Sequence, residues 1–231
     1  MFMKMSAGLF ILAIVISPAA LSAQAKGESV KPAQTELPLI LKRLQTTYAK
    51  TDYFSAFFDQ TFTSTNEIVK NQGSGRVYFA KPDKIRWEYY KPRSRLFIAN
   101  GKNLWIYSED DNQVMQSSKF PNSILSSALA FLQGNGNLEE KFQPVLTSKY
   151  ETGWTIRLTP KEENPQMTAL TLEVSNKSFL VTSAEVEDSL GNRNRFKFEK
   201  PAFSQSMQES LFTFTPPKDA EVVPLPEGFL K

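Results

Sequence analysis

Apolar residues fall on alternate positions through most of this chain, and at helical spacing near its start. Leu37, Ile40, Leu41, Leu44 and Tyr48 recur at i, i+3, i+4, i+7 and i+11, the stripe of an amphipathic helix that ends near Lys50. Thr35 is its expected N-cap, and Pro38 sits where a first turn tolerates it. From Tyr53 the period drops to two. Phe54, Ala56, Phe58, Gln60 and Phe62 share one face, with Phe57 among the polar residues of the other. A loop over residues 65–72 leads to strands at 76–79, 85–90, 96–98, 104–107 and 113–116. Lys81-Pro82-Asp83-Lys84 and Lys91-Pro92-Arg93-Ser94 read as turns, Asn100-Gly101 as a hairpin, and Glu109-Asp110-Asp111-Asn112 as the last turn of the series. Connections this short join antiparallel neighbours only.

The alternation breaks at Pro121. Residues 121–134 carry Ile124, Leu125, Ala128, Leu129, Phe131 and Leu132, and their polar face holds only Ser, Asn and Gln. A helix this apolar lies on a sheet or serves as a lid over a cavity. Strand patterns resume at 142–147, 154–158, 170–174, 179–186, 196–198 and 211–214. About eleven strands and two or three helices, with no internal linker, predict one mainly β (α+β) domain over residues 26–231. A sheet of that many twisted strands curls into a barrel or half-barrel, with helices covering the opening.

Residues 1–25 stand apart. Lys4 is a lone charge, residues 9–16 form a short apolar run, and Ala23-Gln24-Ala25 offers a small-x-small cleavage site. The run is far short of the roughly 20 residues of a spanning helix, so it predicts a secretory signal peptide and a soluble mature chain outside the cytoplasm. With Lys4 removed, basic and acidic residues nearly balance and are interspersed, which argues against nucleic acid as a partner.

Candidate chemistry is sparse. The chain has no cysteine and no histidine, so thiol chemistry and the commonest general base and metal ligand are missing. Glu109-Asp110-Asp111 lacks the spaced ligands of a calcium loop, and Gly73-x-Gly75 precedes a strand rather than a helix. No spacing supports a serine–lysine pair or paired carboxylates. The expectation is a protein that is not an enzyme and needs no cofactor or metal. Its 18 Phe against 7 Tyr and 3 Trp fill either an ordinary β core or a lined cavity.

Several runs carry a family resemblance: G-x-V-Y-F-x-K-P-x-K-I-R-W-E-Y-x-x-P from Gly75, N-G-K-x-L-W-I-Y from Asn100, Gln113-Val114, and the closing F-T-F-T-P-P from Phe212. Phe58-Asp59-Gln60, Leu158-Thr159-Pro160-Lys161 and Asp188 with Gly191-Asn192 add to it. Together they resemble LolA, the periplasmic carrier of outer-membrane lipoproteins. The resemblance implies a single unclosed antiparallel β-barrel covered by a helical lid, with an acyl cavity between sheet and lid. It places Phe54, Phe58, Phe62, Val77, Phe79, Trp87, Leu96, Ile98, Ile124, Leu125, Leu129 and Leu132 along that cavity, although each would equally serve as ordinary core.

The family commonly has Arg before the Pro of the first turn, linking sheet to lid. This chain has Lys81, a point charge in place of a fork of donors, and Arg86 or Arg93 is expected to share the latch role. The implied partners are acylated lipoproteins as cargo, an inner-membrane ABC transporter as donor and an outer-membrane lipoprotein acceptor, with the carrier a monomer in the periplasm. Residues 85–90, read as an edge, are the expected docking surface. A soluble binder of a small lipid or glycolipid, or a sensor of mislocalised lipoproteins, would use the same scaffold.

Overall fold

A computed structural model describes residues 34–66, 70–118 and 137–226. Its centre is one sheet of twelve strands, built on the two-residue period of the sequence. Six form a meander: β1 (Tyr53–Thr63), β2 (Lys70–Ala80), β3 (Lys84–Lys91), β4 (Arg95–Asn100), β5 (Leu104–Ser108) and β6 (Gln113–Ser117). Five more follow: β7 (Phe142–Tyr150), β8 (Gly153–Pro160), β9 (Ala169–Ser175), β10 (Val181–Glu187) and β11 (Arg193–Ser204). β12 (Glu221–Pro224) comes last. The spatial order is β12-β6-β5-β4-β3-β2-β1-β11-β10-β9-β8-β7, so β1 pairs with β11 and the sheet stays open, with β12 and β7 at its edges.

Turn chemistry fits the meander. Gly101 has φ +84, a value that glycine adopts without strain, and the Asn100 side chain accepts from the backbone N–H of Lys102 and Asn103. Gly75 is demanded by packing. A Cβ there would lie 1.7 Å from the Glu88 carbonyl oxygen, next to the register shift that skips Tyr90 in β3. The ring of Phe58 lies over Gly75 and that of Tyr89 over Gly73, edge to face with centroids 5.0 Å apart.

The helix α1 (Leu37–Ala49) follows the apolar stripe: Leu37, Ile40, Leu41, Leu44 and Tyr48 are all buried. Its cap differs from expectation. A 3₁₀ turn, Gln34–Glu36, leads in, and Glu36 occupies the N-cap without a side-chain hydrogen bond to the helix backbone. Tertiary contacts replace that cap. The Gln34 carboxamide accepts from Leu146 N–H (3.0 Å) and donates to Leu146 C=O (2.7 Å), so it pairs with edge strand β7 as a neighbouring strand would. At the far end, the Tyr48 hydroxyl accepts from Val181 N–H in β10 at 3.1 Å, and the ring packs on Phe54 and Phe203. Burial pushes the Tyr48 pKa far upward. α1 is thereby built into the core over the β7–β11 half of the sheet.

The closing segment departs from its strand-like sequence. Residues 211–214 alternate, yet Glu209–Phe212 is a 3₁₀ turn that lies against β3 and β4, with Phe212 buried. Phe214 meets the rings of Trp105 and Tyr107. The chain then adds β12 parallel to β6, a strand the alternation did not announce. Residues 1–33 and 119–136, which include the expected signal peptide and the apolar segment 121–134, lie outside the described residues. Among the described residues no helix is long and apolar enough to cross a membrane, and no group of acidic side chains could hold a metal.

Candidate functional site

Register assigns the two faces of the sheet. Phe54, Ala56, Phe58, Gln60 and Phe62 of β1 pair with Phe79, Val77, Gly75, Gly73 and Asn71 of β2. Those lead to Ile85, Trp87 and Tyr89 of β3, and on to Ala99, Phe97 and Arg95 of β4. This is the concave face, which α1 partly fills. An aromatic band runs along it: Phe58 meets Trp87 at 5.0 Å, Trp87 meets Phe196 at 5.1 Å, and Tyr89 meets Phe97 at 6.0 Å.

The band has a closed end and an open end. At the closed end Phe54 and Phe79 lie under Tyr48, all three buried. There the Lys81 ammonium donates to the carbonyls of Tyr48 (3.1 Å) and Ala49 (2.8 Å), the last residues of α1. A cation on orphan carbonyls at a helix C-terminus satisfies them and complements the helix dipole. At the open end Phe62, Tyr89 and Phe97 are only half-buried. With Gln60, Lys70, Asn71, Gln72, Gly73, Pro92, Arg93 and Arg95 they border a hollow of about 520 Å³. That is within the usual range for small-molecule sites. Burial pushes the Tyr89 phenol up to about 12.

Three of the expected site residues are elsewhere. Leu96 and Ile98 pair with Glu88 and Arg86, which puts them on the convex face, opposite Trp87. The strand Leu96-Phe97-Ile98 is apolar at every position, so alternation could not choose a face. Register chose Phe97 for the concave one. Arg86 is no latch to α1: its guanidinium bonds Glu88 and, at 3.1 Å, the Leu211 carbonyl, tying the closing segment to the convex face. Arg93 pairs with Asp110 at 3.5 Å, at an exposed turn. β3 is not an edge but lies between β2 and β4.

Phe54, Phe58, Phe62, Val77, Phe79 and Trp87 all lie on the concave face, whereas Ile124, Leu125, Leu129 and Leu132 fall outside the described residues. The sequence reading missed Tyr89, Phe97 and Phe196 on this face. Counting register outward from Trp87 across the Lys91-Pro92-Arg93-Ser94 turn is the signal that finds Phe97.

A family model described as outer membrane lipoprotein carrier protein LolA matches residues 49–215, from the end of α1 through the closing 3₁₀ turn. The chain belongs to the LolA family. Among curated LolA relatives, an outer-membrane lipoprotein carrier protein of Chromobacterium violaceum is 32% identical over 169 residues, covering 73% of this chain and 80% of that one. Another from Nitrosomonas europaea is 28% identical over 184 residues, covering 79% and 88%. Among solved structures, an uncharacterized conserved protein from Thermus thermophilus has a TM-score of 0.50 at 16% identity, covering 82% of this chain and 99% of that one, a likeness of fold alone. The LolA match takes in the meander, the Lys81 turn and the Phe212–Phe214 segment together, so it spans both faces just described. Proteins of the LolA family act by binding rather than by catalysis.

Proposed function

We propose that this chain is a periplasmic carrier that takes the acyl chains of lipoproteins onto the concave face of its sheet and moves them from the inner to the outer membrane. The observation that carries the reading is a concave face filled on one half and open on the other. α1 seals the β7–β11 side, while Phe62, Tyr89 and Phe97 leave an apolar floor beside the hollow. Each long acyl chain withdrawn from water is worth on the order of 10 kcal/mol, at about 0.8 kcal/mol per methylene. A lipoprotein therefore crosses an aqueous compartment only if something covers its chains. The carrier's part is to bind and release, with no bond made or broken. An inner-membrane ABC transporter would load it, and an outer-membrane acceptor of higher affinity would empty it.

In this reading Lys81 holds the end of α1 to the sheet. The relatives' name, outer-membrane lipoprotein carrier protein, supports the cargo class. The test is reconstitution: the mature protein is mixed with inner-membrane vesicles, ATP and a newly made lipoprotein. A soluble one-to-one complex with the lipoprotein is expected. Lipoprotein that stays on the vesicles whether or not the protein is present refutes the reading.

A further inference from the structure

The apolar floor of the hollow carries a single hydroxyl. Among the described residues that border it, only Tyr89 has an O–H, and no described residue accepts its proton. Its ring and the Gln60 carboxamide converge above Gly73. An added Cβ there would lie 3.2 Å from the Tyr89 ring and 3.3 Å from Gln60 Oε1. Behind Tyr89, two residues earlier on the same face of β3, stands Trp87, only 8% exposed. Its indole N–H is shut off from water and makes no full hydrogen bond. Burial dominates the Tyr89 phenol and raises its pKa. The Arg95 guanidinium and the Trp87 N–H act against that rise, so both donors lie near the phenol oxygen.

An indole N–H and a guanidinium only donate. Facing them, the Tyr89 oxygen is the acceptor, and its proton turns away from both, toward the hollow that the ring lines. A hydrocarbon chain laid on Phe62, Tyr89 and Phe97 covers this hydroxyl and takes away its water. A donor buried without an acceptor carries that desolvation loss in full. An oxygen at the head of the chain turns the loss into a hydrogen bond. An esterified acyl chain has such an oxygen on its first carbon, so a chain on the floor brings its own acceptor. Gln60 donates one N–H to Asn194 Oδ1 at 2.8 Å, which leaves its other N–H for a second carbonyl above Gly73.

We propose that the Tyr89 hydroxyl is a specificity-determining group of the acyl site and donates to the carbonyl oxygen of an acyl ester. Trp87 positions it, and Gln60 is the second donor. The site thus recognises the ester at the head of the chain as well as the hydrocarbon behind it. This rests on the reading of the concave face as an acyl site.

The test titrates the purified mature protein with two fluorescent lipopeptides. One carries a dipalmitoylglyceryl thioether on its cysteine, and its twin carries the dihexadecyl ether, which lacks both carbonyls. The ester form is expected to bind about fivefold tighter, a difference of about 1 kcal/mol. Tyr89→Phe keeps the ring, loses the hydroxyl and should bring the ratio to about one. Trp87→Phe should lower the ratio to about two, and an unchanged ratio denies Trp87 its positioning role. Tyr90→Phe removes the neighbouring hydroxyl from Glu88 on the convex face and should keep the preference. Phosphatidylcholine in ester and ether forms repeats the comparison without the cysteine. A preference there too assigns the group to acyl esters at large, and one confined to the lipopeptides assigns it to lipoprotein cargo. Equal binding of the lipopeptide twins by the unaltered protein, a preference that survives Tyr89→Phe, or one lost equally in Tyr90→Phe overturns the proposal and leaves the acyl site standing. Absence of binding by every lipid refutes the acyl site itself.

Discussion

Adjacent residues on β4 separate the two faces of the sheet experimentally. Ile98 is completely buried on the convex face, beneath the closing segment that Arg86 ties down at Leu211. Ile98→Ala removes three carbons, about 2.4 kcal/mol of transfer free energy at about 0.8 per methylene, and leaves a cavity as well. The total is about 3–4 kcal/mol, which in a chain of this size lowers the melting temperature by about 10 °C. Phe97 is half-buried beside the hollow, so Phe97→Ala should cost about 1–2 kcal/mol of stability. It also removes roughly 80 Å² of floor, worth about 2 kcal/mol of binding, or roughly thirtyfold in affinity for an acyl probe. Thermal melts followed by circular dichroism, with titration of a fluorescent fatty acid below the melting range, read both quantities. If Ile98→Ala weakens probe binding more than Phe97→Ala does, the assignment of faces is wrong.

Gly75→Ala should destabilise by more than about 3 kcal/mol, because its Cβ would overlap the Glu88 carbonyl, and urea unfolding measures it. Lys81→Met should cost about 1 kcal/mol and speed amide hydrogen exchange at the last turn of α1, since two carbonyls lose their donor. An unchanged exchange rate there would show that the ammonium holds nothing. The Tyr89 pKa is raised from 10.0 to about 12 by burial, so its contribution to stability is present in full below pH 10 and is lost as pH climbs through about 12. Tyr89→Phe should lessen that alkaline decline, the remainder belonging to Tyr48 and Tyr90, whose phenols burial also raises, and a decline of identical size in the variant would refute the assignment.

How far the sequence could be read depended on whether a pattern is local. α1 was legible because five apolar residues at helical spacing need one buried side, whatever they pack on. The hairpin at Asn100-Gly101 was legible because backbone geometry favours those residues there. The face of Leu96 and Ile98 was not, since an unbroken apolar run satisfies either side of a sheet. β12 was invisible for a related reason: Val222 and Val223 make a strand only because β6 offers an edge to pair with. Phe212 and Phe214 alternate like a strand, yet the convex surface of β3–β5 takes them as a covering instead.

Two-residue and helical periods, the turn formers, and the absence of His and Cys were enough to determine a curled antiparallel sheet with a helix on it and no thiol or imidazole chemistry. Those properties follow from local propensity and from what each residue type can do. Tertiary structure alone decided which half of the concave face is filled, that Lys81 sits on the end of α1, and that Phe97 rather than Leu96 or Ile98 faces the hollow. Phe97 faces it because β3 sets Phe97 directly across from Trp87. Register is a property of the whole sheet, and no window of sequence contains it.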